Sequence, residues 1–266
     1  MANSRSGESV VDRIVKLLSA FERSTPALTM SELSRATDLP TSTTHRLAGE
    51  LLAAGFLDRD EEGRFGIGVK MWELAARSNP VEEFRRRGLP VLEGIHEAVR
   101  QHVSLSIPSF EDFTVLYLER LDKLGAAVNL AEVAGRLDMH STSAGLCMVA
   151  HAPHRIQDEL LAGTLAQSTP HTETNPGRVR AHLAQIRERG FSRLAGVLVK
   201  ENAAYSVPVF GMGNEVIGAI TVVTPLLEED PNLIIPVLVA AGRSLSRSMG
   251  AEQRPYGSRS WLPRGK

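Results

Sequence analysis

Apolar residues recur at three- and four-residue spacing over residues 8–23: Val10, Val11, Ile14, Val15, Leu17, Leu18 and Phe21. That period predicts an amphipathic helix, ended by Ser24-Thr25-Pro26. Thr29, with Glu32 three residues on, has the form of a capping box. It opens a short helix, Met30–Thr37, that buries Met30, Leu33 and Ala36. After the tight connection Asp38-Leu39-Pro40, Thr41 or Ser42 can cap a third helix running to Ala54, with Gly55 as its stop. Residues 56–59 and 64–67 then read as two strands about a Glu61-Glu62-Gly63 turn. Three short helices followed by a hairpin is the pattern of a winged helix-turn-helix, here spanning 8–68.

The helix at 69–78 carries Val69, Met71, Trp72, Leu74 and Ala75, more apolar surface than a spacer requires. We take 69–80 as a linker helix and a candidate dimer surface, with the boundary near residue 80. From there the period alternates. A helix is expected over 80–101, and strands over 102–108, 113–121, 126–132, 192–199, 203–210 and 216–224. Helices are expected over 143–151, 155–161 and 176–189 (Gly190 its stop), and a last one from Asp230-Pro231 to Met249. Hairpin strands with separate helices predict an α+β domain over 81–249 with a largely antiparallel sheet. Residues 250–266 read as a disordered basic tail.

Composition narrows the classes. The chain has 266 residues, 42% hydrophobic and 23% charged, which is globular and long enough for about two domains. One cysteine, Cys147, excludes an internal disulfide and suits a cytoplasmic location. The start lacks an apolar signal core, and the longest apolar run, 233–242, is broken by Pro236, so no membrane span is expected.

The net charge is −1, which gives no general reason to expect nucleic acid. DNA binding must rest on local placement. In a helix-turn-helix the first residues of the second motif helix meet the major groove. Helical spacing buries Thr44, Leu47, Ala48 and Leu51 and turns Ser42, Thr43 and Arg46 outward. Thr41, Ser42 and Thr43 suit phosphate at a helix N-terminus. Arg46 can reach guanine or phosphate, and His45 lies beside it. On the wing, Asp58, Asp60, Glu61 and Glu62 surround Arg59 and Arg64, so only those two cations can add affinity. Residues 1–80 hold ten basic and eleven acidic side chains. Paired domains are then needed for tight binding.

No G-x-S-x-G, H-E-x-x-H, G-x-G-x-x-G or Walker loop is present, so no enzyme and no cofactor is expected. Cys147 sits in an apolar helical stretch and reads as a core thiol. A metal pair of His151 and His154 would need a helix unbroken at Pro153.

SVVDRIVKLLSAF, LTMSELSRATDLPTSTTHRLAGELLAAGFL and DRDEEGRFGIG resemble the DNA-binding half of the isocitrate lyase regulator (IclR) family of bacterial transcription factors. GRLDMHSTSAG resembles the family's glycine-to-histidine loop leading into a helix, and PVFGMGNEVIGAITVVTP its closing hairpin. The resemblance covers about residues 9–248, with both halves in order. It implies a double-stranded DNA operator, dimers or tetramers, a C-terminal GAF-like effector domain, and Thr41, Ser42, Thr43 and Arg46 at the DNA.

The chain departs from the family where ligand is usually bound. The family's aspartate position aligns with Leu194, its cysteine position with Ala204, and two common serines with Thr221 and Val223. An apolar wall disfavours short hydroxy- or keto-acids. The expected effector is a small apolar or aromatic acid. Its anionic end would lie near Ser141, Thr142, Ser143, Ala144 and Gly145, beside His140, with Met139 and Leu146 lining the apolar part. The alternative is a regulator that has lost effector binding and uses this domain for oligomerisation only.

Overall fold

The computed structural model describes residues 8–22, 24–123 and 127–252. The chain separates into two units between Pro80 and Val81.

The first unit contains α1 (Val10–Leu18), β1 (Ala27–Leu28), α2 (Met30–Thr37), α3 (Thr41–Ala53), β2 (Leu57–Arg59), β3 (Phe65–Ile67) and α4 (Val69–Arg77). Ser9 caps α1 in a capping box with Asp12. The helix ends at Leu18 rather than residue 23, because Ser19 closes it and Glu22 then bridges Thr25. At α2 the Glu32 carboxylate accepts the Thr29 amide at 2.8 Å, and Thr29 Oγ1 accepts the Glu32 amide at 3.3 Å. A cap of this kind is worth about 1 kcal/mol.

Neither Thr41 nor Ser42 caps α3. Pro40 holds the N-cap position, and its carbonyl accepts the amides of Thr43 and Thr44 at 2.9 and 3.0 Å. The far end closes as a Schellman motif. Gly55 takes φ +77°, its amide bonds to the Leu52 carbonyl, and the Phe56 amide bonds to the Leu51 carbonyl. β1, too short to show a period, joins the hairpin in the order β1-β3-β2. Leu17, Leu33, Leu47 and Leu57 are fully buried at the centre of this unit.

The second unit opens with α5 (Glu82–Val99), β4 (His102–Ser109), β5 (Thr114–Leu121) and β6 (Arg136–Asp138). Next come α6 (Ser143–His151), α7 (His154–Ala162), α8 (Pro176–Arg189), β7 (Ser192–Ala195), β8 (Asn202–Phe210), β9 (Val216–Pro225) and α9 (Pro231–Ser248). The strands form one antiparallel sheet in the order β6-β5-β4-β9-β8-β7. α5 and α9 cover one face, burying Leu92, Ile95 and Leu238 against Val103, Tyr205 and Val222. α6, α7 and α8 cover the other. Strand period 2 therefore sorts β8 into Ala203, Tyr205 and Val207 on the α5/α9 face and Ala204 and Ser206 on the α6 face.

The sheet is curled. Asp138 pairs with Thr114 at one edge, and only five residues later Ser143 Oγ donates to the Ser192 carbonyl on β7, at the other edge, at 3.3 Å. One expected strand is missing. Residues 127–132 are irregular, since their polar groups are taken by side chains instead of a ladder. Asn202 Nδ2 donates to the Val128 carbonyl at 2.7 Å, Arg120 donates to the Asn129 and Ala131 carbonyls, and Asn129 Oδ1 accepts the Ala131 amide. β6 takes the place beside β5 instead. The expected strand 192–199 shortens to Ser192–Ala195. Of the basic tail, residues 253–266 lie outside the described residues. Among the described residues no helix is long and apolar enough to cross a membrane.

Candidate DNA-binding face and ligand cavity

α3 buries Thr44, Leu47, Ala48 and Leu51 and presents Thr41, Ser42, His45, Arg46 and Glu50 to solvent, with Thr43 half-buried. Thr41 Oγ1 lies 3.3 Å from Ser34 Oγ on α2, and the same Ser34 hydroxyl donates to the Leu39 carbonyl at 2.9 Å. These bonds set the turn between α2 and α3. Arg46 is not a free cation, because its Nη1 is 2.7 Å from the Glu50 carboxylate one turn on.

The wing cations are occupied more completely. Arg59 Nε donates to the Gly63 carbonyl at 3.0 Å, and its guanidinium lies 5.0 Å from the Phe65 ring centre. Arg64 binds Asp60 at 2.8 Å and Glu62 at 3.0 Å. The Asp60 carboxyl is held below its ordinary range by hydrogen bonds from the Arg64 amide and guanidinium, which outweigh its desolvation. Both arginines hold the hairpin together.

In the second unit a cavity opens on the α6 face of the sheet. Its floor is a run of cross-strand neighbours: Leu194 opposite Ala204, and Ala204 opposite Val223. The next register row carries hydroxyls, with Ser206 opposite Thr221 and Thr221 opposite Ser104, and Ser206 Oγ and Thr221 Oγ1 share a 2.8 Å hydrogen bond. The loop ahead of α6 closes one side with Ser141, Thr142, Ser143 and Ala144. Leu130, Ala131, Val197 and Val199 close others. The space between the walls is about 540 Å³ with its mouth included. Among the described residues no side chain lining it carries a charge. At the α6 N-terminus, Thr142 Oγ1 accepts the Gly145 amide at 3.1 Å, and the Thr142 carbonyl accepts the Leu146 amide. The amides of Ser143 and Ala144, in the first turn, have no place in the helical ladder.

An exposed helix face on one unit and a ligand-sized cavity in the other suit a sensor joined to a nucleic-acid reader. Residues 81–247 match the bacterial transcriptional regulator IclR C-terminal domain, and residues 10–61 match the IclR helix-turn-helix domain. The chain belongs to the IclR family. It is 26% identical to the Escherichia coli HTH-type regulator RhmR over 80% of this chain and 82% of that one. It is 25% identical to the E. coli transcriptional repressor IclR, covering 68% of this chain and 66% of that one. Among solved structures, an IclR homologue from Microbacterium hydrocarbonoxydans, complexed with 4-hydroxybenzoate, is 33% identical. It superposes with a TM-score of 0.84 over 92% of this chain and 100% of that one. The chain is thus a DNA-binding transcriptional regulator of the IclR type, and its homologues are regulators rather than enzymes.

Against this IclR framework, eight of the residues singled out as effector-binding line the cavity together: Ser141, Thr142, Ser143, Ala144, Leu194, Ala204, Thr221 and Val223. Four do not. Met139 and Leu146 are core residues. His140 turns away, its Nε2 2.7 Å from the Ala166 carbonyl. Gly145 matters for its missing side chain, since a Cβ there would lie 2.2 Å from the Met139 carbonyl. The loop can fold back onto α6 only over a glycine. Cys147 is wholly buried, and burial raises its thiol pKa far above the ordinary range. Pro153 separates α6 from α7, and among the described residues no group of His, Cys, Asp or Glu is arranged to hold a metal.

Sequence reasoning missed Ser104, Tyr117, Asn129 and Asn202 in the cavity and Arg35 beside α3. Arg35, exposed in the last turn of α2, borders the same shallow groove as Ser34 and Thr41. Its place after the Thr29 cap was a usable signal. The cavity residues gave none, because only strand pairing brings them together.

Proposed function

We propose that the chain is an effector-responsive repressor or activator that binds its operator as paired copies. α3 enters the major groove, Ser42, Thr43 and Arg46 face the bases and phosphates, and Thr41 and Arg35 approach the backbone. Arg59 and Arg64 add little, being spent within the wing. Pairing uses apolar surface that the first unit leaves uncovered: Val11 and Val15 on α1, and Val69, Trp72 and Leu74 on α4. α4 buries no residue of its own, and Trp72 is 71% exposed. Such surface on a soluble unit marks an interaction site, and a second copy carrying the same face is the partner it fits.

The observation that carries the effector reading is the floor formed by Leu194, Ala204 and Val223 beside the open first turn of α6. An apolar floor, with no charged side chain lining the cavity among the described residues, favours a ring over a short polar acid. The amides of Ser143 and Ala144 receive the carboxylate. The space suits a single ring. The 4-hydroxybenzoate complex of the structural relative supports the same class. A thermal-shift series of benzoate-type acids against short hydroxy- and keto-acids tests this, followed by a gel shift on the intergenic DNA beside the gene. Ring acids should raise the melting temperature and change operator affinity. Stabilisation by the short acids alone overturns the apolar pocket, and silence from every acid favours a domain kept for oligomerisation only.

A further inference from the structure

Three polar groups at the cavity, Ser104 Oγ, Tyr117 OH and Asn129 Nδ2, have no hydrogen-bond partner among the described residues. Ser104 and Tyr117 are 2% and 4% exposed, and both line the cavity. Among the described residues neither hydroxyl makes a hydrogen bond. Asn129 lines it too, and its Nδ2 is shielded from solvent and unpartnered although its Oδ1 accepts the Ala131 amide at 3.1 Å. The other polar side chains of the wall are satisfied. Ser141 and Thr142 donate to the Asp138 carbonyl, Ser143 to Ser192, and Asn202 to Val128, while Thr221 bonds Ser206. A buried polar group without a partner bears its full desolvation cost. Of the three, Asn129 Nδ2 bears that cost, being shut off from solvent without a partner, while the Ser104 and Tyr117 hydroxyls stand at the cavity wall with their hydrogen-bonding capacity unused by the fold.

They stand on other elements than the α6 end. Ser104 is on β4, Tyr117 on β5 and Asn129 in the segment before β6, whereas Ser143 and Ala144 open α6. We infer that Ser104, Tyr117 and Asn129 form a second polar subsite that reads a hydroxyl on the effector, distinct from its carboxylate. This rests on the reading of the cavity as the effector site. The donor and acceptor inventory decides the group. Asn129 Nδ2 only donates, while the two hydroxyls can donate or accept. A ligand hydroxyl accepts from the amide and donates to Tyr117 or Ser104. A second carboxylate does not fit, because among the described residues no cation lines the cavity to compensate it. An unsubstituted ring leaves all three groups stranded.

The test is titration calorimetry on the full chain with benzoate, 3-hydroxybenzoate and 4-hydroxybenzoate, repeated for Tyr117→Phe and Ser104→Ala. At least one hydroxybenzoate should bind about tenfold or more tightly than benzoate, the size expected when a site's polar groups gain or lose their partner. Each variant should cut that preference to about threefold or less. Neither should lower the unliganded melting temperature, which loss of a merely structural tyrosine or serine would. Equal binding of benzoate and both hydroxybenzoates by the wild type overturns the subsite and leaves the cavity reading standing. A preference that survives both substitutions also overturns it. Binding of none of the three overturns the cavity reading and the subsite with it.

Discussion

The guanidinium of Arg46 lies 2.7 Å from the carboxylate of Glu50, one turn further along the exposed face of α3. Both side chains are more than half exposed, so the pair adds little to stability, about 0.5 kcal/mol or less. On the proposed groove-facing surface, Glu50 would shield the main cation and repel phosphate. Arg46→Ala should weaken operator binding by roughly tenfold to a hundredfold, in line with about 1–3 kcal/mol for a base or phosphate contact. Glu50→Gln should tighten it severalfold. Fluorescence anisotropy with labelled operator reads both, and an unchanged affinity in Arg46→Ala would remove α3 from the groove.

On the wing, Arg64 is held by Asp60 and Glu62. Arg64→Ala should change operator affinity by about threefold at most. The salt dependence should stay the same, because a phosphate contact would contribute nearly one unit of slope. A steeper loss, with a slope reduced by about one, would place the wing on the DNA.

Trp72 offers a test of pairing that spares the fold, since it is exposed and α4 buries nothing. Trp72→Glu should shift the chain towards monomer in sedimentation velocity at micromolar concentration while its thermal melting stays within about 0.5 kcal/mol of wild type, as for other surface changes. Operator affinity should fall by at least tenfold as the effective concentration of the second domain is lost. A dimer of unchanged stability would exclude this face.

Glu229 joins the start of α9 to the edge of the sheet. Arg193 reaches it at 2.8 Å, and the Tyr205 hydroxyl donates to the same carboxylate. The hydrogen bond from Arg193 is the main cause of a lowered Glu229 pKa. Burial opposes it, and Tyr205 and the Arg193 charge assist. A carboxyl depressed in the folded state stabilises fully above its unfolded value of 4.5, and that stability is lost as pH falls below 4.5 through the lowered folded value. Glu229→Gln should therefore cost about 1–3 kcal/mol in urea unfolding at pH 7. The cost should shrink as both proteins are taken well below pH 4.5. A cost that persists undiminished in acid would show that the carboxylate charge is not involved.

Much of the DNA-binding unit was readable along the chain because its decisive interactions are local. The Thr29–Glu32 box, the Gly55 stop and the buried stripe Thr44, Leu47, Ala48 and Leu51 are relations between residues at most a few positions apart. Where a distant partner intervened, the reading failed. β1 exists only because β3 pairs with it. The expected strand at 126–132 was displaced when Asn202 and Arg120 took its carbonyls. The occupation of Arg59 by the Gly63 carbonyl and the Phe65 ring likewise needed the folded hairpin.

By itself, then, the sequence determined the run of three helices and a hairpin in the first unit, the exposed face of α3 and the family, all of which follow from periodicity, capping and motif. Only the tertiary structure decided that Leu194, Ala204 and Val223 form one floor, that Met139 lies in the core and His140 turns to the Ala166 carbonyl, and that the Ser104 and Tyr117 hydroxyls and Asn129 Nδ2 meet at one cavity without hydrogen bonds among the described residues. Those facts depend on strand register and on which polar groups find a mate across the sheet. Neither is encoded in the spacing of neighbours along the chain.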